Sequence, residues 1–171
     1  LRFLFASKPD AIGPVLAIVH RVIARWLADQ AGVPREAAQC GAVTLIQRFD
    51  HDPATMRFND GKADPMGRFW AGTMFEPRTA ELAGVYCLER GKVRHGWGPE
   101  EQLGVKVSNG MAFSLDNRQL FQSDTPNHVI YQFAFDVQTG TIGARHPFAR
   151  RPDNRAEAGY AGRPDGAAID G

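Results

Sequence analysis

An aspartate or asparagine stands directly before a glycine in Asn59-Asp60-Gly61, in Ser108-Asn109-Gly110 and in Pro164-Asp165-Gly166, and the glycines lie 49 and 56 residues apart. The first two motifs have comparable sequels: Asp64 and then Arg68-Phe69-Trp70, Asp116 and then Gln119-Leu120-Phe121. The third leads to Asp170-Gly171. A repeat of this length limits the available folds more than any other feature of the chain. Propeller blades repeat at about 40–50 residues, with four strands in each. One such sheet cannot bury both its faces, so blades exist stacked around an axis.

After about residue 50 the hydrophobic period is two, as strands require. Candidate strands are Phe69–Met74, Gly84–Leu88, Lys92–Arg94, Met111–Ser114, Leu120–Ser123, Val129–Asp136 and Thr141–Phe148. Turn-forming runs separate them, among them Asp64-Pro65-Met66-Gly67, Arg90-Gly91-Lys92 and Gln138-Thr139-Gly140. Before residue 50 the pattern changes. Ile12, Val15, Leu16, Val19, Val22, Ile23, Trp26 and Leu27 recur at spacings of three and four. That predicts a helix from about Pro9 to Ala31, opened by Ser7 and Pro9 and closed by Gly32 and Pro34. Val43-Thr44-Leu45-Ile46 reads as a strand. The expected domains are a helical extension over residues 1–49 and the repeat region over 50–171.

Charge and composition exclude several classes of function. Twenty Lys+Arg against nineteen Asp+Glu leave a net charge of +1. This is not the basic excess of a nucleic-acid binder. No apolar run reaches the roughly 18 residues that span a bilayer. Residues 1–19 lack the basic start, apolar stretch and small-residue cleavage site of a leader. Cys40 and Cys87 are too few for a disulfide framework. A cytoplasmic location is expected, with no nucleic-acid and no membrane partner. The histidines (His20, His51, His95, His128 and His146) show no metal-ligand spacing. Gly61-Lys62 lacks the glycine-rich run of a phosphate loop. The four arginines from Arg145 to Arg155 read as a solvated loop.

If the repeats are blades, Asp60, Asn109 and Asp165 converge on one mouth of the central channel. Convergent aspartate and asparagine oxygens suit a hard divalent cation. The alternative is that each Asx-Gly pair simply makes a turn, the commonest use of that dipeptide. For Asp60 the turn reading is the stronger one.

The segment Met56-Arg57-Phe58-Asn59-Asp60-Gly61-Lys62-Ala63-Asp64-Pro65-Met66-Gly67-Arg68-Phe69-Trp70-Ala71-Gly72-Thr73-Met74 closely resembles the signature of the regucalcin (senescence marker protein)/gluconolactonase family. Val107-Ser108-Asn109-Gly110-Met111-Ala112-Phe113-Ser114, Phe135-Asp136-Val137-Gln138-Thr139-Gly140 and Arg163-Pro164-Asp165-Gly166 continue the resemblance in order. It implies a six-bladed β-propeller that hydrolyses sugar lactones with one divalent cation, calcium or zinc, on its axis. Carried over, it implies metal ligands at Asn109 and Asp165, substrate contacts at Arg57 and Asn59, and Asp165 as the general base. The fold class expected is therefore all-β: a partial six-bladed propeller of about two to three blades, behind an N-terminal helical segment.

The sequence also departs from that pattern. The family's remaining metal ligand is a glutamate on its first blade, and here the helical segment stands in that region. An acidic residue that follows Gly-Thr-Met in some members corresponds to Pro77, with Glu76 adjacent. Turnover by this chain is accordingly expected to be impaired or absent. The alternative function is a sugar-acid or metal binding module without turnover. Exposed sheet edges make an oligomer an option. Residues 1–49, through His20-Arg21-Val22-Ile23-Ala24-Arg25-Trp26-Leu27 and Gly41-Ala42-Val43-Thr44-Leu45-Ile46-Gln47-Arg48-Phe49, resemble a fragment of a tandem-tyrosine insertion-sequence transposase, without its His-x-His motif or paired tyrosines.

Overall fold

The computed structural model describes residues 47, 49, 51–52, 54–153, 156, 158, 160 and 162–169. The helix expected over residues 9–31 and the strand at 43–46 lie outside the described residues. Residues His51–Gly171 group as one compact unit. It holds β1 (Met56–Ala63), β2 (Phe69–Phe75), β3 (Val85–Glu89), β4 (Lys92–Trp97), β5 (Ser108–Phe113), β6 (Gln119–Asp124), β7 (Val129–Asp136) and β8 (Thr141–Arg150). The only other element among the described residues is a short 3-10 turn, Pro99–Glu101. The strands form two four-stranded antiparallel meanders, ordered β1-β2-β3-β4 and β5-β6-β7-β8. This is the blade architecture that the repeat predicts. The described residues give two blades; residues 162–169, with the third motif, form no strand.

The structure overturns the turn reading of Asp60. No turn occurs at Asn59-Asp60-Gly61, because β1 runs straight through it. Asn59 and Asp60 lie opposite Gly72 alone, since Phe58 pairs with Thr73 and Gly61 with Ala71. In β5, Gly110 and Met111 lie opposite Gln122 alone, since Asn109 pairs with Ser123 and Ala112 with Phe121. Each blade thus opens with a strand carrying one extra residue, a bulge that bends the strand and re-aims its side chains. The bulges are also out of phase with the motifs. Asp60 lies inside its bulge, whereas Asn109 immediately precedes its own.

The core lies between the two sheets. In β7 the alternation of buried Val129, Tyr131, Phe133 and Phe135 with more exposed neighbours presents one face to the first sheet. Trp70 of β2 and Trp97 of β4 meet that face, and Trp97 packs on Phe133 with ring centroids 5.5 Å apart. Burying aromatic side chains of this size is worth roughly 4–6 kcal/mol each in gross transfer free energy.

Polar contacts set how the sheets meet. Asp64 in the β1–β2 turn accepts from the backbone of Met66 and Arg68, from Arg68 Nε at 2.6 Å and from the Trp70 indole at 2.9 Å. The Arg68 guanidinium then crosses to the second sheet and donates to the carbonyls of Val137 and Gln138 in the β7–β8 turn. Arg145, expected in a solvated loop, instead lies in β8. It donates to the carbonyls of Gln102 and Gly104 and stacks 4.4 Å over the Tyr131 ring. Nearer β1 and β5 the sheets approach so closely that a Cβ on Gly72 would lie 2.2 Å from Ser108 Oγ. Among the described residues no helix is long and apolar enough to cross a membrane.

Candidate functional site

The expected site residues sit where β1 and β5, the first strand of each blade, come together. Asn109 in β5 is 8% exposed, whereas Asp165, 56 residues later, is on the surface. The structure brings the two side chains together: Asn109 Nδ2 donates to Asp165 Oδ1 at 2.5 Å. The Thr125 hydroxyl lies between their segments. It accepts from Asn109 Nδ2 at 3.1 Å and donates to the Pro164 carbonyl at 2.8 Å. Thr125 begins the turn between β6 and β7, which lies at the same end of the sheet as Ser108 and Asn109.

Asp60 reaches the same place from the other blade. Its Oδ2 accepts the backbone N–H of Gly110 at 2.9 Å, and its Oδ1 accepts that of Gly61 at 2.8 Å. Gly110 has φ +50°, and a Cβ there would lie 2.1 Å from the Asp165 carbonyl oxygen, so the site needs glycine at this position. Burial raises the Asp60 carboxyl from its ordinary value. The bonds from Gly61 and Gly110 oppose that shift, and the Asp165 charge adds to it. The three Asx residues therefore converge as the repeat predicts, but through bulges and a connecting segment instead of equivalent blade positions.

Asn59, half-buried, donates Nδ2 to the Ser108 carbonyl at 3.0 Å, one residue from Asn109. Arg57 lies two residues earlier on the same strand. Its guanidinium forms an ion pair with Glu76 just beyond β2 and donates to the Phe58 carbonyl at 3.3 Å. Among the described residues no hydrogen bond joins Arg57 to Asn59, Asn109 or Asp165.

Sequence reasoning missed Thr125, whose partners are a distant amide and a backbone carbonyl. It also missed a group away from this site. His95, Glu100 and Glu101, all exposed, place their ligand atoms within 4.8 Å of one another. These groups already satisfy each other. Glu101 accepts from His95 at 3.1 Å and from the Gly98 backbone at 2.8 Å, closing the 3-10 turn.

Asn109 and Asp165 offer oxygen donors only, the chemistry of a calcium-type or other hard-cation site. Asp165 accepts one side-chain bond among the described residues and is otherwise open to solvent. By donor type the pair fits a divalent cation once the Asn109 amide turns its oxygen to the side where Nδ2 meets Asp165.

Comparison with known proteins gives consistent relatives. The model of the SMP-30/gluconolactonase/LRE-like region matches residues 6–171. The 6-deoxy-6-sulfogluconolactonase of Pseudomonas putida is 45% identical over 119 residues, which is 67% of this chain and 36% of that relative. Regucalcin of Gallus gallus is 38% identical over 135 residues, 75% of this chain and 41% of the relative. The crystal structure of a calcium-binding protein, regucalcin, from Agrobacterium tumefaciens strain C58 superposes with a TM-score of 0.55 at 26% identity. It covers 64% of this chain and 36% of that one. The chain thus spans 36% and 41% of the length of these two curated relatives. The two sheets are blades of the six-bladed propeller fold that these structural neighbours have.

Proposed function

This chain belongs to the SMP-30/gluconolactonase/LRE-like family, and from that premise we propose that its site serves metal-dependent hydrolysis of a sugar lactone. The observation that carries the proposal is the contact of Asn109 with Asp165 across 56 residues of sequence. It joins a buried carboxamide of β5 to an exposed carboxylate in the segment after β8. Asn109 Oδ1 and the Asp165 carboxylate would hold the cation, calcium or zinc. The chemistry such an ion supplies is polarisation of the ester carbonyl and balancing of the negative charge that gathers on its oxygen.

The chain's own residues do the rest. Asp165, exposed and ionisable, takes a proton from the attacking water. Asn59 holds its amide beside Asn109 through the Ser108 carbonyl and orients ring hydroxyls by directional hydrogen bonds. Arg57 contacts the substrate through the edge of its guanidinium that Glu76 leaves open. Since Glu76 balances that charge, Arg57 acts as a directional donor more than as an anion trap.

A second reading is favoured by the small donor set. Among the described residues, Asn109 and Asp165 are the two expected ligands that meet here, and ligand number and charge set cation affinity. A site of this kind binds a sugar acid or a metal without turning over a lactone. Hydrolysis of gluconolactone, followed while calcium or zinc is titrated in, separates the two. Metal-dependent turnover abolished by Asp165→Ala supports the lactonase. Saturable binding with no turnover supports the binding module.

A further inference from the structure

We propose that Asn109 and Gly110 form a self-modifying site, in which the Gly110 nitrogen displaces ammonia from the Asn109 side chain and a carboxylate takes the amide's place. The chemistry does not rest on the lactonase reading. Asn109-Gly110 is the one Asn-Gly pair in the chain. Closing a ring from a backbone nitrogen onto the preceding carboxamide needs an unhindered nitrogen and a backbone free to turn, and glycine supplies both. Gly110 lies in the β5 bulge, between the paired positions Asn109–Ser123 and Ala112–Phe121, with φ +50°. A bulge takes its residues out of the regular ladder.

Two contacts carry the argument beyond the dipeptide. The Gly110 N–H lies 3.1 Å from Asn109 Oδ1, so the nucleophile stands beside the group it attacks. The same N–H lies 2.9 Å from Asp60 Oδ2, a carboxylate brought in by the other blade. A peptide nitrogen attacks only as it gives up its proton, and Asp60 is placed to take it as a general base. The electron pair left on nitrogen points where the proton did. A turn of the carboxamide about its Cβ–Cγ bond sets the carbon in that path. The bond from Gly110 N to Asn109 Cγ forms, and the bond from Cγ to Nδ2 breaks. Asp60 returns the proton to the departing nitrogen, which leaves as ammonia, and Asp60 ends as it began. Nδ2 faces Asp165, which is exposed, so the ammonia departs toward solvent. Water then opens the cyclic imide to aspartate or isoaspartate. Asp60-Gly61 and Asp165-Gly166 do not compete, because an ionised carboxylate is a poor target for a nucleophile. The product replaces the N–H that Asn109 gives Asp165 with a second carboxylate, and like charges at that distance repel. The conversion therefore loosens the segment that carries Asp165.

The test incubates the full chain at neutral pH, folded and in concentrated urea, and follows the conversion of Asn109 by peptide mass mapping. Chromatography separates the aspartyl from the isoaspartyl peptide. We expect the folded chain to convert faster than the unfolded one. Asp60→Ser should slow the folded chain about a hundredfold, the loss of a positioned general base, and leave the unfolded rate unchanged. Serine is chosen because asparagine there would itself precede glycine. The proposal is overturned if the folded chain converts no faster than the unfolded one, a comparison that needs no variant. It is equally overturned if folded Asp60→Ser converts as fast as the native sequence. Asn109→Asp stands in for the product and should speed proteolysis between β8 and Asp165; unchanged cleavage would overturn the loosening.

Discussion

The indole N–H of Trp70 donates to the Asp64 carboxylate at 2.9 Å, in a contact where neither side chain meets solvent. The same carboxylate receives Arg68, which clamps the second blade through two carbonyls. Asp64→Ala leaves a buried guanidinium without its charge partner and a buried indole without its acceptor. The expected cost is about 3–5 kcal/mol of unfolding free energy. Urea denaturation followed by tryptophan fluorescence measures it; a loss well under one kcal/mol would show that the motif holds nothing together.

The close approach of Gly72 to Ser108 gives a second expectation. A methyl group on Gly72 would meet Ser108 Oγ at 2.2 Å, and overpacking of this kind costs about 1–3 kcal/mol. Ser108 also accepts from Gln122 Nε2 at 2.8 Å, so it cannot simply swing away. Gly72→Ala should therefore destabilise the fold, and Ser108→Gly in the same chain should recover part of the loss. Additive effects in that double-mutant cycle would show that the two blades do not meet here.

Cys87 faces the core from β3 with no exposed surface, and burial pushes its thiol up from 9.0 to about 11. A folded pKa above the unfolded one means that the unfolded chain ionises first. The stability this thiol contributes is whole below 9 and is lost as pH rises through about 11. Unfolding free energies across that window should decline more steeply for the native sequence than for Cys87→Ala. At neutral pH the thiol should resist a disulfide reagent until the chain is denatured. Rapid labelling of the native protein would contradict the burial of Cys87 in the core.

Asn59 and Asn109 should separate in kinetics if the lactonase reading holds. Asn59→Ala removes an orienting group for substrate and should raise KM about tenfold, with cation dependence unchanged. Asn109→Ala removes a donor to the ion and should shift the metal titration at unchanged KM. Loss of turnover in both variants with identical metal curves would place both residues in one role.

The strands were readable where alternation was strict. Val129–Asp136 is predicted and found with the same ends, because each inward residue is large and apolar. Lys92–Arg94 proves to be the start of Lys92–Trp97; Gly96 hides its end. Asn59-Asp60-Gly61, expected to turn, lies within β1, and β5 begins at Ser108, ahead of the expected Met111–Ser114, because Asx-Gly pairs occur in bulges as well as in turns. The convergence of Asp60, Asn109 and Asp165 was visible in their spacing. Neither Arg68 nor Thr125 was, since their decisive partners are carbonyls of Val137, Gln138 and Pro164, and a backbone oxygen leaves no mark on a sequence.

The phase difference between the bulges bears on anyone recombining such chains. In β1 the bulge is formed by Asn59 and Asp60; in β5 it is formed by Gly110 and Met111, just after Asn109. Cut and pasted in place of its neighbour, either blade would keep its hydrogen-bond ladder and deliver its amide to the wrong spot. Similar sheets here are not interchangeable modules, and a chimera assembled by matching only their outlines would inherit the scaffold and forfeit its chemistry.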